Sequence, residues 1–71
     1  MSELTLTVNG DLLTVRAGST VADVVACLVG DVEPRGIAVA VDRCIIPRSE
    51  WSVTPVRPGS PIEIVTAAAG G

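Results

Sequence analysis

From Glu3 to Val8 the side chains alternate without a break, Leu4, Leu6 and Val8 against Glu3, Thr5 and Thr7, and Asn9-Gly10 follows at once. Alternation with a period of two is the pattern of a half-buried strand. Asn-Gly is the dipeptide that accepts the positive φ angles of a two-residue type I′ hairpin turn. The chain must therefore reverse, and Leu12 to Arg16 returns antiparallel with Leu13 and Val15 facing inward. The inward face needs a cover, and the next segment is patterned to supply one.

Ala17-Gly18-Ser19-Thr20 is punctuation, and Thr20 with Asp23 three residues later has the form of a helix N-cap with an acidic group near the positive end of the helix dipole. Val21, Val24, Val25 and Leu28 then make the stripe that one face of a helix turns toward a core. Valine is a mediocre helix former, so this helix depends on packing. With Leu28 as its anchor on the sheet, Leu28→Ala is expected to cost about 2–5 kcal/mol. Cys27, in the same amphipathic segment, reads as a small buried hydrophobe. Gly30 is a natural terminator, and Asp31 to Gly36, with Pro34, reads as a loop.

Ile37-Ala38-Val39-Ala40-Val41 is continuous, short and β-branched, the signature of a central strand buried on both faces. After Asp42-Arg43, a short strand Cys44-Ile45-Ile46 stops at Pro47. Arg48-Ser49-Glu50-Trp51 forms a turn or short helical piece in which Trp51 covers one end of the core while the charges stay solvated. A loop with Pro55, Pro58, Gly59 and Pro61 leads to a last strand, Ile62 to Thr66. A hairpin, a crossing helix and a following strand parallel to the first give an α+β fold of the β-grasp, or ubiquitin-like, layout: a mixed sheet of four to five strands packed on one main helix. Residues 1–66 form the domain and 67–71 a mobile tail.

Composition narrows what such a domain can do. With 71 residues the chain is near the lower limit for a self-supporting core, and a 48% hydrophobic content offsets the shortness. Trp51 is its only aromatic residue and the net charge is −3, which argues against nucleic acid and for a basic surface on a protein partner. All five cations are arginine, so no internal lysine is present for a carboxyl end to be joined to. Without histidine the commonest general base and metal ligand is missing, no carboxylates pair as a catalytic site, and neither catalytic residues nor a metal site are expected. Cys27 and Cys44 form no C-x-x-C and fit a reducing cytosol, with Cys44, beside a turn, the more accessible. Met1-Ser2-Glu3 begins acidic and apolar runs fall far short of about 18 residues, so neither leader nor membrane contact is expected. Leu12 and Val65 fall on the outer faces of their strands, where exposed aliphatics can mark a docking patch.

The chemistry-bearing feature is the terminal Gly70-Gly71, reached through Ala67-Ala68-Ala69. A main-chain carboxylate needs no side chain to react and is ionised at neutral pH, with a pKa of roughly 3.3–3.7. Two glycines let the backbone enter a slot too narrow for any other residue. The run Ala38-Val39-Ala40-Val41-Asp42, then Ile46-Pro47-Arg48-Ser49-Glu50-Trp51, the loop through Pro58-Gly59, the strand Glu63-Ile64-Val65-Thr66 and the diglycine together resemble the ThiS family, the sulfur carrier proteins of thiamine (thiazole) biosynthesis. The resemblance covers nearly the whole chain. Asp42 stands where the family usually has Asn, and Pro58-Gly59-Ser60 replaces its common Asp-Gly-Asp, so only loop contacts depart from it.

The resemblance implies a carrier acted on by others. A ThiF-type adenylating enzyme, using ATP and magnesium, would join AMP to the Gly71 carboxylate. Sulfur from a persulfide charged by a cysteine desulfurase would then displace AMP. The resulting thiocarboxylate would donate sulfur to the thiazole synthase ThiG. Gly70 and Ala69 would enter the partner active sites with Gly71, and the carrier, monomeric when free, would bind no cofactor itself. Two alternatives share the diglycine: the small subunit of molybdopterin synthase, whose approach to the tail is usually aromatic or proline-rich, and a ubiquitin-like protein modifier, whose product is an isopeptide conjugate.

Overall fold

The computed structural model describes residues 2–29 and 36–66. Strand β1 (Glu3–Val8) and strand β2 (Asp11–Arg16) form the hairpin, paired antiparallel from Glu3↔Arg16 to Val8↔Asp11. Asn9 at φ 52° and Gly10 at φ 88° supply the two positive angles the turn needs. Thr5 and Thr14, opposite each other on the outer face, join their hydroxyls at 3.1 Å.

Helix α1 (Val21–Val29) starts on the expected cap. Asp23 Oδ2 accepts from the Thr20 N–H at 2.9 Å and Thr20 Oγ1 accepts from the Asp23 N–H at 3.3 Å, the reciprocal arrangement of a capping box. The Val21 N–H, which no helical carbonyl can reach, donates to Thr54 O at 2.9 Å. Val21, Val24 and Val25 are buried. Leu28 is not: it is 48% exposed, so the large cost expected for Leu28→Ala on the premise of a buried anchor does not apply. The nine-residue helix carries Leu28 in its last turn, where it lines an open groove together with Val8, Leu13 and Ile64 instead of being closed over by them. Cys27 is exposed as well, because its position projects to the side of the valine stripe rather than along it. Gly30 and the loop positions 31–35 lie outside the described residues.

The rest of the sheet consists of β3 (Ile37–Val41), β4 (Cys44–Ile46) and β5 (Pro61–Thr66), with a 3-10 helix at Arg48–Val53 between the last two. The order across the sheet is β2-β1-β5-β3-β4. This mixed sheet packed on one helix is the β-grasp fold. The central strand is β5, not β3, and it is β5 that runs parallel to β1, while β3 lies antiparallel to β5. Nor is β3 buried on both faces. Val39 is fully buried among the core residues, but Ala38 is exposed on the face that has no helix over it. The run looks continuously apolar because its outward positions are alanines, whose small side chains cost little to expose.

The core comprises Leu6, Val8, Val21, Val24, Val25, Val39, Val56 and Ile62, closed at one end by Trp51. Trp51 is 6% exposed and its indole Nε1–H donates to Ile46 O at 2.9 Å. Arg48 and Glu50, which precede it on the same 3-10 helix, are exposed, as the sequence suggests.

Candidate functional site

Strand β5 is described as far as Thr66; Ala69, Gly70 and Gly71 follow it in sequence, outside the described residues. What the structure does define is how that strand is held. On one flank β3 pairs with it from Val41↔Ile62 to Ile37↔Thr66. On the other flank β1 reaches only Thr7↔Pro61 and Val8↔Ile62. Past that point the side chain of Asn9 takes over: its Oδ1 accepts from the Ile64 N–H at 2.9 Å and its Nδ2 donates to Ile64 O at 3.1 Å. The sequence reading assigns Asn9 only to the turn. No local pattern announces the second role, because its partner is 55 positions away.

Leu12 and Val65 are both exposed, at 78% and 63%. The register does not bring them together. Leu12 pairs with Thr7, whose partner on β5 is Pro61, four residues before Val65. Leu12 instead borders the groove that also contains Leu28, Asn9, Ile64 and Thr66, beside the end of β5. Val65 pairs with Ala38 on the open face, and two residues along β3 the pair Ala40↔Ile45 continues it. Ile45 is 70% exposed and is absent from the sequence-based docking candidates. Its neighbour Ile46 packs on the core, so alternation alone turns Ile45 outward.

Both cysteines are free and exposed, Cys44 as expected and Cys27 contrary to expectation. Among the described residues no three His, Cys, Asp or Glu side chains cluster as metal ligands would, and no helix is long and apolar enough to cross a membrane. The arrangement presents a strand end and exposed aliphatic side chains at Leu12, Ile45 and Val65.

The model of the ThiS family matches residues 4–71, nearly the whole chain. The chain belongs to the ThiS family. Its fold is similar to the crystal structure of the thiamine biosynthesis protein ThiS from Geobacter metallireducens, with a TM-score of 0.76 at 24% identity, over 96% of this chain and 100% of that one. No match is found among curated proteins.

ThiS proteins are small ubiquitin-like sulfur carriers, and membership gives the chain a sulfur-carrier role in thiamine biosynthesis, in contact with enzymes of that pathway. Within the family pattern, Pro47 to Trp51 now has a physical role. Pro47 ends β4, and the 3-10 helix that follows drives Trp51 into the core and onto the carbonyl at the end of that strand.

Proposed function

We propose that Gly71 is the cargo site of this ThiS-family carrier, with residues 1–66 as the body that presents a tail of residues 67–71. The Gly71 carboxylate attacks the α-phosphate of ATP in a ThiF-type enzyme, which also holds magnesium, and pyrophosphate leaves. The mixed anhydride turns a poor acyl donor into a good one, since AMP leaves far more readily than oxide; activation followed by displacement splits one hard step into two easier ones. The outer sulfur of a persulfide, charged by a cysteine desulfurase, displaces AMP to give an acyl disulfide. A thiol reductant supplies the two electrons that break its S–S bond, leaving the thiocarboxylate on Gly71 and forming a disulfide from the thiols. The thiocarboxylate then delivers sulfur to the thiazole synthase ThiG. Gly70 and Ala69 accompany Gly71 into both active sites, where the absence of bulk allows close approach of backbone to enzyme. In this reading the carrier works in the cytoplasm, is monomeric when free, and binds no cofactor of its own.

The observation that supports this reading most directly is that the ThiS-family match runs through Gly71 itself, so the diglycine belongs to the matched pattern. Intact-mass analysis tests it. Incubated with its adenylating enzyme, ATP and a sulfur donor, the protein should exchange one oxygen for sulfur at Gly71. A carboxylate unchanged under those conditions would count against the proposal.

Leu12 and Val65 are proposed as docking positions. Each is largely exposed, so a charge there leaves the core intact. Leu12→Glu and Val65→Glu should each raise the KM for the carrier with a partner enzyme by about tenfold, the scale of a modest interface hot spot. Unchanged KM values with both the adenylating enzyme and the thiazole synthase would remove these residues from the interface.

A further inference from the structure

Strand β5 has an unusual neighbour at its outgoing end. Along a strand, successive residues direct their main-chain N–H and C=O to alternate sides. Pro61 O accepts from the Asp42 N–H at 2.9 Å, on the β3 side, and Ile62 O accepts from the Asn9 N–H at 2.9 Å, on the β1 side. Ile64 therefore points its peptide groups toward β1, two residues after β1 has ceased to pair. The chain has turned away there, with Asn9 at φ 52°. A continuing parallel strand would offer Ile64 a carbonyl and then an N–H. The Asn9 carboxamide offers that same pair from a single side chain, at 2.9 and 3.1 Å.

We propose that Asn9 is a positioning residue that fixes where the tail-bearing strand leaves the sheet, its side-chain amide standing in for the strand that β1 no longer supplies. The role rests on the reading of Gly71 as the cargo site. Ile64 stands seven residues before Gly71, and β3 secures the opposite flank through Ala38↔Val65 and Ile37↔Thr66. With both flanks held, the tail departs from a fixed point. A partner that grips the carrier body and threads the last residues into its active site then has less chain to order on binding.

Residue identity is demanding here because two requirements meet at one position. Glycine accepts the positive φ but has no side chain. Aspartate tolerates the turn and keeps an acceptor for the Ile64 N–H, but it has no N–H for the Ile64 carbonyl and sets a negative charge against it. Asparagine meets both requirements. The turn itself survives in Asn9→Gly, since Gly-Gly is an accepted type I′ pair, so that variant removes the clamp and keeps the hairpin.

The test combines amide hydrogen exchange with adenylation kinetics on the full chain. In Asn9→Gly the Ile64 amide should exchange roughly tenfold faster, beyond any change at Leu6 and Val39, whose amides report global opening. The KM for the carrier with its adenylating enzyme should rise about fivefold while kcat stays within about twofold, because the loss falls on ordering before chemistry. Asn9→Asp, which keeps one of the two bonds, should lie between Asn9→Gly and wild type in both readouts. A merely structural Asn9 would lose Ile64 protection with KM unmoved, and that result overturns the proposal, as does unchanged protection. The two readings fail differently. A wild-type protein that is not adenylated overturns the assignment of Gly71 and the positioning role with it, whereas an adenylated wild type matched in KM by Asn9→Gly overturns only the role of Asn9.

Discussion

Adding a single residue after Gly71 is expected to abolish adenylation, and Gly71→Ala to reduce it by about a hundredfold or more, the scale on which misplacing a reacting atom by about 1 Å acts. The two changes fail for different reasons. Extension converts the reacting carboxylate into an amide, whose oxygen is a poor nucleophile, and moves the nearest carboxylate roughly 3.3–3.6 Å further along the chain. The alanine variant keeps the carboxylate but places a Cβ beside it, which a slot shaped for glycine cannot admit without displacing the carbonyl. Neither change touches a described residue of the sheet, whose strand β5 is Pro61–Thr66, so melting temperatures should match wild type. Pyrophosphate release and intact mass, measured together, check the expectation. Full adenylation of the alanine variant would refute the narrow-slot argument, and adenylation of the extended chain would show that Gly71 is not the site.

Which parts of this molecule could be read from its sequence follows from the range of the interactions that fix them. The hairpin and the helix start are set by contacts a few residues apart, the Asn9-Gly10 turn and the Thr20–Asp23 box, and both appear as expected. Trp51 as the cover of the core was legible because a lone indole in a small apolar domain has few other places to go. The pairing of β5 rather than β3 with β1 was not legible. Both segments are β-branched runs of similar length, and only the tertiary register distinguishes them. The exposure of Leu28 is hidden from the sequence for a related reason: the stripe Val21, Val24, Val25, Leu28 is continuous along the helix, but the covered surface ends before the helix does. The docking candidates show the same division. Alternation turns Leu12 and Val65 outward correctly, yet it could not reveal how far apart the register sets them on the open face, or that Ile45 extends the patch around Val65. Asn9 is the sharpest case, since a residue already accounted for by its turn carries a second, long-range role in its side chain.

The largest effect on stability is expected from Trp51→Ala. The side chain is 6% exposed, and truncating a buried aromatic costs about 3–5 kcal/mol through lost burial and the cavity left behind. A chain of 71 residues at the usual 0.05–0.15 kcal/mol per residue has only about 4–11 kcal/mol to lose. The variant should therefore sit near the edge of folding at room temperature. Trp51→Phe separates the two contributions of the indole. It keeps most of the aromatic volume but removes the Nε1–H, leaving Ile46 O without that donor, and should cost about 1–3 kcal/mol. Because Trp51 is the only aromatic residue, both substitutions remove the fluorescence signal, and urea unfolding must be followed by far-UV circular dichroism. A Trp51→Ala protein within 1 kcal/mol of wild type would mean that the 3-10 helix can close the core without its indole. Function supplies a second criterion. If Trp51 supports the fold and does not touch a partner, Trp51→Phe should be adenylated with wild-type KM under conditions where it is fully folded, and a raised KM in that state would move the Pro47–Trp51 segment from the core to the interface.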